Sequence, residues 1–476
     1  MTPAQTLARF VSSLDGTALP AAVRHAAARH LLDTVGVGFL GSSAAMPRAG
    51  LAGLCALPSA GDATVWGSTR RLAAPYAAMA NGISAHVLDY DDTHSEGIVH
   101  GSAVLAPLVL ALGEALDADG RQLVESFVAG WEVSARVGLA ARGTLHQRGY
   151  HTTSVAGVFG AAAAAGKLMG LDAERLKNAL ALAGSLAAGI NEYQSDGSSS
   201  KIVHTGWTAY SGIVAAQLAQ AGMTGPASIL EGRLGFLNAY GDLSRCDLSR
   251  LERGLGSEWE IRRISIKPYP CCHFGHAYID CAAELRDQGV RPQDIERIEC
   301  VVPEIEVAMV CEPLDAKKLP ASPYAAKFSL PFMVALGLVD GRIDADSFTA
   351  RSIQRADLLA IARRVGYRVA APGETTFPRY FPGWVDVVLA NGDKRSSRMD
   401  VNRGTPELPM DDDTLRSKFL QNLAGSEPGA AAGLADALLD VEHRTARSIA
   451  AMIRGLCRDD AVKAASGDGS RAPARG

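Results

Sequence analysis

Residues 154–169, SVAGVFGAAAAAGKLM, decide the fold class. The run is apolar on every side, which reads as a buried helix, and its alanines and glycines let neighbouring helices approach closely. Just upstream, residues 122–141 form an amphipathic helix with Val124, Phe127, Val128, Trp131 and Ala135 on its apolar face. Working outward, the periodicity predicts two helices over 6–41 with Pro20 just before the second, then helices over 47–57 and 72–87, the last weakened by Asn81-Gly82. Two more are expected over 176–190 and 209–221, so about 240 residues pass without convincing strand alternation.

The texture changes near Trp259. Residues 261–270, IRRISIKPYP, alternate like a strand that Pro268 and Pro270 halt. Strands are also predicted over 295–303, 367–370 and 383–389, the last running into a hairpin-like Asn391-Gly392 turn. Helices over 277–285 and 325–338 separate them, and helices return over 414–423 and 428–448. The fold class is therefore predominantly α. A helical domain spans 1–262 and returns over 403–463, a smaller α+β domain is inserted over 263–402, and 464–476 is a frayed tail.

Composition narrows the function classes. At 476 residues, two domains are the first expectation. With 47 Lys+Arg against 51 Asp+Glu the charge is balanced, which argues against disorder and against nucleic acid as a partner. The eight cysteines include no CxxC pair, so a structural zinc or an iron–sulfur centre is not expected. The N-terminus lacks the cationic start and apolar block of a signal peptide, and apolar runs break before membrane-spanning length. A cytoplasmic location, with no membrane partner, is the expectation. Several motifs mislead. GAAAAAGK at 160–167 has five residues between its glycines where a phosphate loop has four, and Leu168 stands where that loop needs Ser or Thr. No GxGxxG follows a predicted strand, which removes the main nicotinamide or flavin fingerprint, and no GxSxG or HExxH occurs.

The informative feature is local: eight of the eleven histidines fall between His86 and His276. The loop DYDDTHSEGIVHG at 89–101 is dense in carboxylates and imidazoles. It reads as a water-facing helix cap, as a metal site, or as a site using carboxylate and imidazole directly. Metal is not the expected reading. Lys201 lies in QSDGSSSKIVH, a polar loop between helices, and Lys267 is pinned between a strand and two prolines. Two such lysines would suit a clamp on a substrate carboxylate.

Five stretches together carry a resemblance: LLDTVGVGFLGS at 31–42, NGISAHVLDYDDTH at 81–94, HTTSVAGVFGAAAAAGKLMGL at 151–171, ISIKPYPCCHFGHAYIDCAAEL at 264–285 and YAAKFSLPF at 324–332. In this order they resemble the MmgE/PrpD family, whose members include 2-methylcitrate dehydratase, cis-aconitate decarboxylase and iminodisuccinate epimerase. The resemblance implies a large all-helical domain with an inserted smaller α+β lid domain, a homodimer, no cofactor, and a site in the cleft between the domains. Carried over by residue, it implies Asp89, Thr93, His100, His151, Lys201 and Lys267 as catalytic residues. Asp92, His204, Cys272, His273 and His276 are the expected substrate-binding residues. Cys272 stands where the family has a histidine, with His273 beside it, and Phe332 stands where the decarboxylases have a tyrosine.

The chemistry of these groups is that of proton abstraction next to a carboxylate, with cations stabilising the enolate-like charge. His151 is the expected base, His100 the partner acid or substrate-orienting group, and Asp89 the carboxylate that orients one ring. Thr93 would donate to a substrate oxygen, and Cys272 is read as inert packing more readily than as a thiol acid. The expected function is a cofactor-independent hydro-lyase on a small di- or tricarboxylate of the 2-methylcitrate type. The alternatives are an epimerase of an iminodisuccinate-like acid, a decarboxylase of a cis-aconitate-like acid, and a non-catalytic helical binding protein.

Overall fold

The computed structural model describes residues 1–377 and 379–457, so the expected tail over 464–476 lies outside the described residues. The chain is mostly helical, and its buried apolar side chains fall into two clusters. One draws on residues 4–266 and 410–456, and the other on residues 269–387.

The first cluster is centred on the stretch that announced the fold. Gly157–Leu168 is a helix buried along almost its whole length, preceded by a separate turn, Thr152–Val155, where the sequence predicted one continuous helix. It lies against the Gly120–Ala141 helix, and Gly130 and Gly160 meet so closely that a Cβ at Gly160 would stand 2.3 Å from the Gly130 carbonyl oxygen. The Gly120–Ala141 helix starts at a capping box. The Asp119 carboxylate accepts from Gln122 N, and the Gln122 side chain accepts from Asp119 N, each at 2.9 Å. Helices Ala74–His86 and Ser200–Gln220 cross at two glycines: a Cβ on Gly82 would lie 2.9 Å from Gly206 Cα. The Asn81-Gly82 pair that weakened the helix in sequence is thus the contact that brings two site-bearing helices together.

The second cluster covers a four-stranded sheet. Ile295–Val302 is flanked by Val365–Val369 in parallel and by Gly383–Leu389 antiparallel, with Lys394–Met399 at the far edge. Helices His276–Asp287 and Leu330–Val339 pack on it, with Gly383 against the backbone of Ala277 and Gly337 against Ala282. The expected strand over 261–270 does not form. Glu260–Arg263 is a 3₁₀ turn, and Ser265 makes only an isolated antiparallel bridge to Thr93, exchanging two 2.9 Å backbone bonds. Residues 264–270 are all buried, polar Ser265 and Lys267 included, so the alternation of residue types does not mark an inner and an outer face, and no neighbouring strand extends the ladder. Among the described residues, no helix is long and apolar enough to cross a membrane.

Candidate active site

The loop after the Ala74–His86 helix turns sharply because Asp89 adopts a left-handed backbone, φ 53°. The loop is then held inside the protein, which overturns the water-facing part of the helix-cap reading: Asp89, Asp91, Asp92 and His94 are all buried, although Asp92 does accept from Ser102 N at the start of the next helix. Burial of so many polar groups demands partners, and these define the site.

Asp89 is the anchor for two lysines. Lys201 Nζ donates to Oδ1 at 2.8 Å, while Lys267 Nζ lies 3.2 Å from Oδ2 and donates to the Asp89 carbonyl at 2.9 Å. Burial pushes the Asp89 carboxyl up, but the two ammonium groups outweigh it and hold the group well below the usual carboxylate range. Asp89 therefore does not orient an imidazole, as expected from sequence; it gathers the cations. Lys201 also departs from its expected loop, since it occupies the first turn of the Ser200–Gln220 helix. Burial would lower its ammonium, yet Asp89 prevails and raises it.

The ring-orienting carboxylate is Asp91. Its Oδ2 is 2.7 Å from His86 Nδ1 and 3.4 Å from His100 Nδ1. His100 Nδ1 also lies 2.9 Å from the Asp92 carbonyl and 3.1 Å from Thr93 Oγ1, and the His100 amide donates to Thr153 Oγ1 at 3.1 Å. Four imidazoles cluster here. The His86 ring is 5.2 Å from His100 and 5.5 Å from His151, His100 is 6.4 Å from His151, and His151 Nδ1 meets His204 Nδ1 at 3.1 Å. Burial holds His100 down to about 3 and His204 down to about 4. His151, buried beside the His86 imidazole and the Lys201 ammonium, is also well below the usual imidazole range. His100, His151 and His204 are therefore neutral at pH 7, and as bases they wait for an anion to join them.

The other expected contacts are not all in this cluster. The Asp92 carboxylate points to the rear, 2.7 Å from His30 Nδ1 and accepting from Ser102 Oγ at 2.5 Å, so it braces the loop and does not face a ligand. His276 is fully buried with Nε2 3.2 Å from the Cys271 carbonyl, and His273 Nε2 is 2.9 Å from Asn402 Nδ2; both belong to the packing below the Lys267 segment. Cys272 Sγ rests 3.7 Å from Met309 Sδ, and burial pushes its thiol up to about 12. Phe332 is 0% exposed in the second cluster. Two groups that the sequence reading passed over stand close by. His86 sits three residues before Asp89 and has a buried Nε2 without a hydrogen-bond partner among the described residues, and Lys327 donates to the Leu88 carbonyl at 2.6 Å. Both lay within quoted stretches, but a five-residue His86–Asp91 spacing has no helical or strand meaning until the left-handed turn at Asp89 is known.

His86, Asp91 and His100 offer three ligand atoms within 4.8 Å of one another. A dication there would have to displace the His86–Asp91 bond and lie near the Lys267 ammonium, whose charge already acts on Asp91. The trio is better suited to holding a proton than a metal.

Two family profiles match the chain. The profile of the MmgE/PrpD N-terminal domain matches residues 5–248, and that of the MmgE/PrpD C-terminal domain matches residues 269–440. The chain belongs to the MmgE/PrpD family. It is an enzyme of MmgE/PrpD type. It is similar to the cis-aconitate decarboxylase of Mus musculus, 29% identical over 409 residues, covering 83% of this chain and 81% of the relative. The human cis-aconitate decarboxylase is likewise 29% identical over 408 residues, 83% and 82% of the two chains. That of Aspergillus terreus is 25% identical over 440 residues, 88% and 89%.

Proposed function

We propose that this MmgE/PrpD enzyme is a cofactor-independent lyase on a small tricarboxylate, and that its first reaction is loss of carbon dioxide from a cis-aconitate-like acid. The observation that carries the reading is the convergence of four imidazoles with the lysine pair on Asp89, in one buried site. The choice of acid leans on the relatives, which are cis-aconitate decarboxylases.

Lys201 and Lys267 bind substrate carboxylates, sharing their donors with Asp89. The incoming negative charge lets one neutral imidazole take up a proton, reversing the depression that burial imposes. In decarboxylation the bond to one carboxylate breaks and carbon dioxide leaves. Its electron pair moves into the conjugated system, and the far carbon receives the proton from the imidazolium. His151 Nε2 is the atom for this transfer, because its Nδ1 is engaged by His204. His100, held by Asp91 and Thr93, orients the substrate. The segment 263–402, with its own core, serves as a lid that carries Lys267 to the site, and the enzyme works as a homodimer.

A second reading, dehydration of a 2-methylcitrate-type hydroxy acid, is kept because one observation weighs against decarboxylation. Phe332 is buried in the second core and Cys272 rests on a methionine, so the histidine and tyrosine that the decarboxylase resemblance would put at these positions have no counterpart there. In that reaction His151 abstracts the proton next to a carboxylate, the electron pair forms the carbon–carbon double bond as the carbon–hydroxyl bond breaks, and the departing hydroxide takes a proton from the imidazolium so formed to leave as water.

Incubation in heavy water with cis-aconitate, 2-methylcitrate and iminodisuccinate tests the readings. Carbon dioxide release with one deuterium gained is expected from cis-aconitate; water loss from 2-methylcitrate would instead select dehydration. Exchange with skeleton retained would mean epimerisation, and no turnover of any acid refutes the lyase. H151A should lower turnover by about 10²–10⁴-fold, and unchanged turnover would remove His151 from its role. Light scattering at about twice 49.8 kDa checks the dimer.

A further inference from the structure

Three buried lysines hold three consecutive carbonyls beneath the site. Lys327 donates to Leu88 O at 2.6 Å, Lys267 to Asp89 O at 2.9 Å and Lys418 to Tyr90 O at 3.4 Å. They are not equivalent. Lys267 also has Asp89 Oδ2 at 3.2 Å and Lys418 has Asp33 Oδ1 at 2.6 Å. Lys327 has only its carbonyl among the described residues, although it is 8% exposed and carries three donors. A buried ammonium with one neutral acceptor is costly unless an anion joins it. The groups whose charge acts on it are Asp89, Cys271, Lys267 and Lys201, and of these Asp89 is already shared by the two other lysines.

We infer that Lys327 is a specificity-determining residue: it supplies the cation for a third substrate carboxylate, and so selects tricarboxylates over dicarboxylates. This deepens the lyase reading and rests on it. Lys267 and Lys201 remain tied to Asp89, and the charge that they leave uncovered next to Leu88 is that of Lys327.

Calorimetry on the full chain tests this with two unreactive probes, tricarballylate and glutarate, which differ by the central carboxylate. K327M should weaken tricarballylate by about tenfold or more, while glutarate changes by less than about twofold. K327R should retain tricarballylate binding. Burial pushes Lys327 down to about 8 against the pull of Asp89, so its charge is lost as pH rises through that value. Wild-type affinity for tricarballylate should therefore fall above about pH 8. That fall should be absent in K327R, whose guanidinium stays charged, and absent from the residual binding of K327M. Should K327M not fold, K327R carries the pH test alone. Equal losses of both probes in K327M, or an unchanged pH limb in K327R, overturns the assignment of Lys327. If the wild type binds neither acid, the lyase reading itself falls.

Discussion

Replacing Asp89 with asparagine keeps the side-chain volume and removes one charge from a place where two ammonium groups depend on it. Lys201 and Lys267 lie 2.8 and 3.2 Å from its oxygens, and all three groups are buried or nearly so. Removing one member of a buried ion pair leaves an uncompensated charge and costs about 3–5 kcal/mol. Two dependent lysines put D89N at the upper end of that range. The pH dependence separates this loss from others. The Asp89 carboxyl is held well below its ordinary value, so its contribution is complete above about pH 4 and disappears only as pH falls through its folded-state value. His100 and His204 behave differently. They stay neutral when folded while the unfolded chain takes up protons, so they withdraw stability as pH falls from about 6.5. Urea unfolding of wild type and D89N at pH 7.5, 5 and about 3 should therefore show a constant difference at the first two pH values and a narrowing one at the third. A K201M partner completes a double-mutant cycle, whose coupling should exceed about 1 kcal/mol at pH 7.5. If D89N unfolds within about 1 kcal/mol of wild type at pH 7.5, or if the cycle shows no coupling, the account of Asp89 as the gatherer of cations is wrong.

Other outcomes follow from the same geometry. D91N removes the carboxylate that faces His86 and His100 at 2.7 and 3.4 Å, and should lower turnover by about 10²-fold while leaving the melting temperature less affected than D89N does; equal activity of D91N and wild type refutes the orienting role. G82A places a Cβ 2.9 Å from Gly206 Cα and should cost about 1–3 kcal/mol in urea unfolding, since only backbone movement relieves the contact. Alkylation at pH 8 followed by peptide mass mapping should label exposed Cys55 well before Cys272, whose buried thiol is pushed up to about 12; rapid labelling of Cys272 would show the site to be open.

Much of the fold was legible in the chain. The alanine-rich run at 154–169 and the capped helix at 122–141 announced a helical core, because burial on all sides and a 3.6-residue apolar stripe are local signals. Element ends shifted most at the start of the Ser200–Gln220 helix and the end of the Pro428–Leu439 helix, expected at 209 and 448, while a break at Ala156 divides one expected helix into two. The missing strand at 261–270 shows the limit of alternation: residues 264–270 are buried without a break, and the pattern says nothing of whether a neighbouring strand exists to pair with.

The site divides in the same way. Sequence alone determined which chemistry was available: imidazoles crowded between His86 and His276, carboxylates at 89–92, and lysines at 201 and 267. It could not determine which carboxylate serves which partner. Asp89, Asp91 and Asp92 are near neighbours in the chain, yet the left-handed turn at Asp89 sends their side chains to two lysines, two imidazoles, and His30 with Ser102. Lys327 likewise reads as one lysine in an apolar segment until the fold carries it from residue 327 to the Leu88 carbonyl. Partner choice depends on contacts between residues far apart in the chain, and those exist only once the two cores have packed.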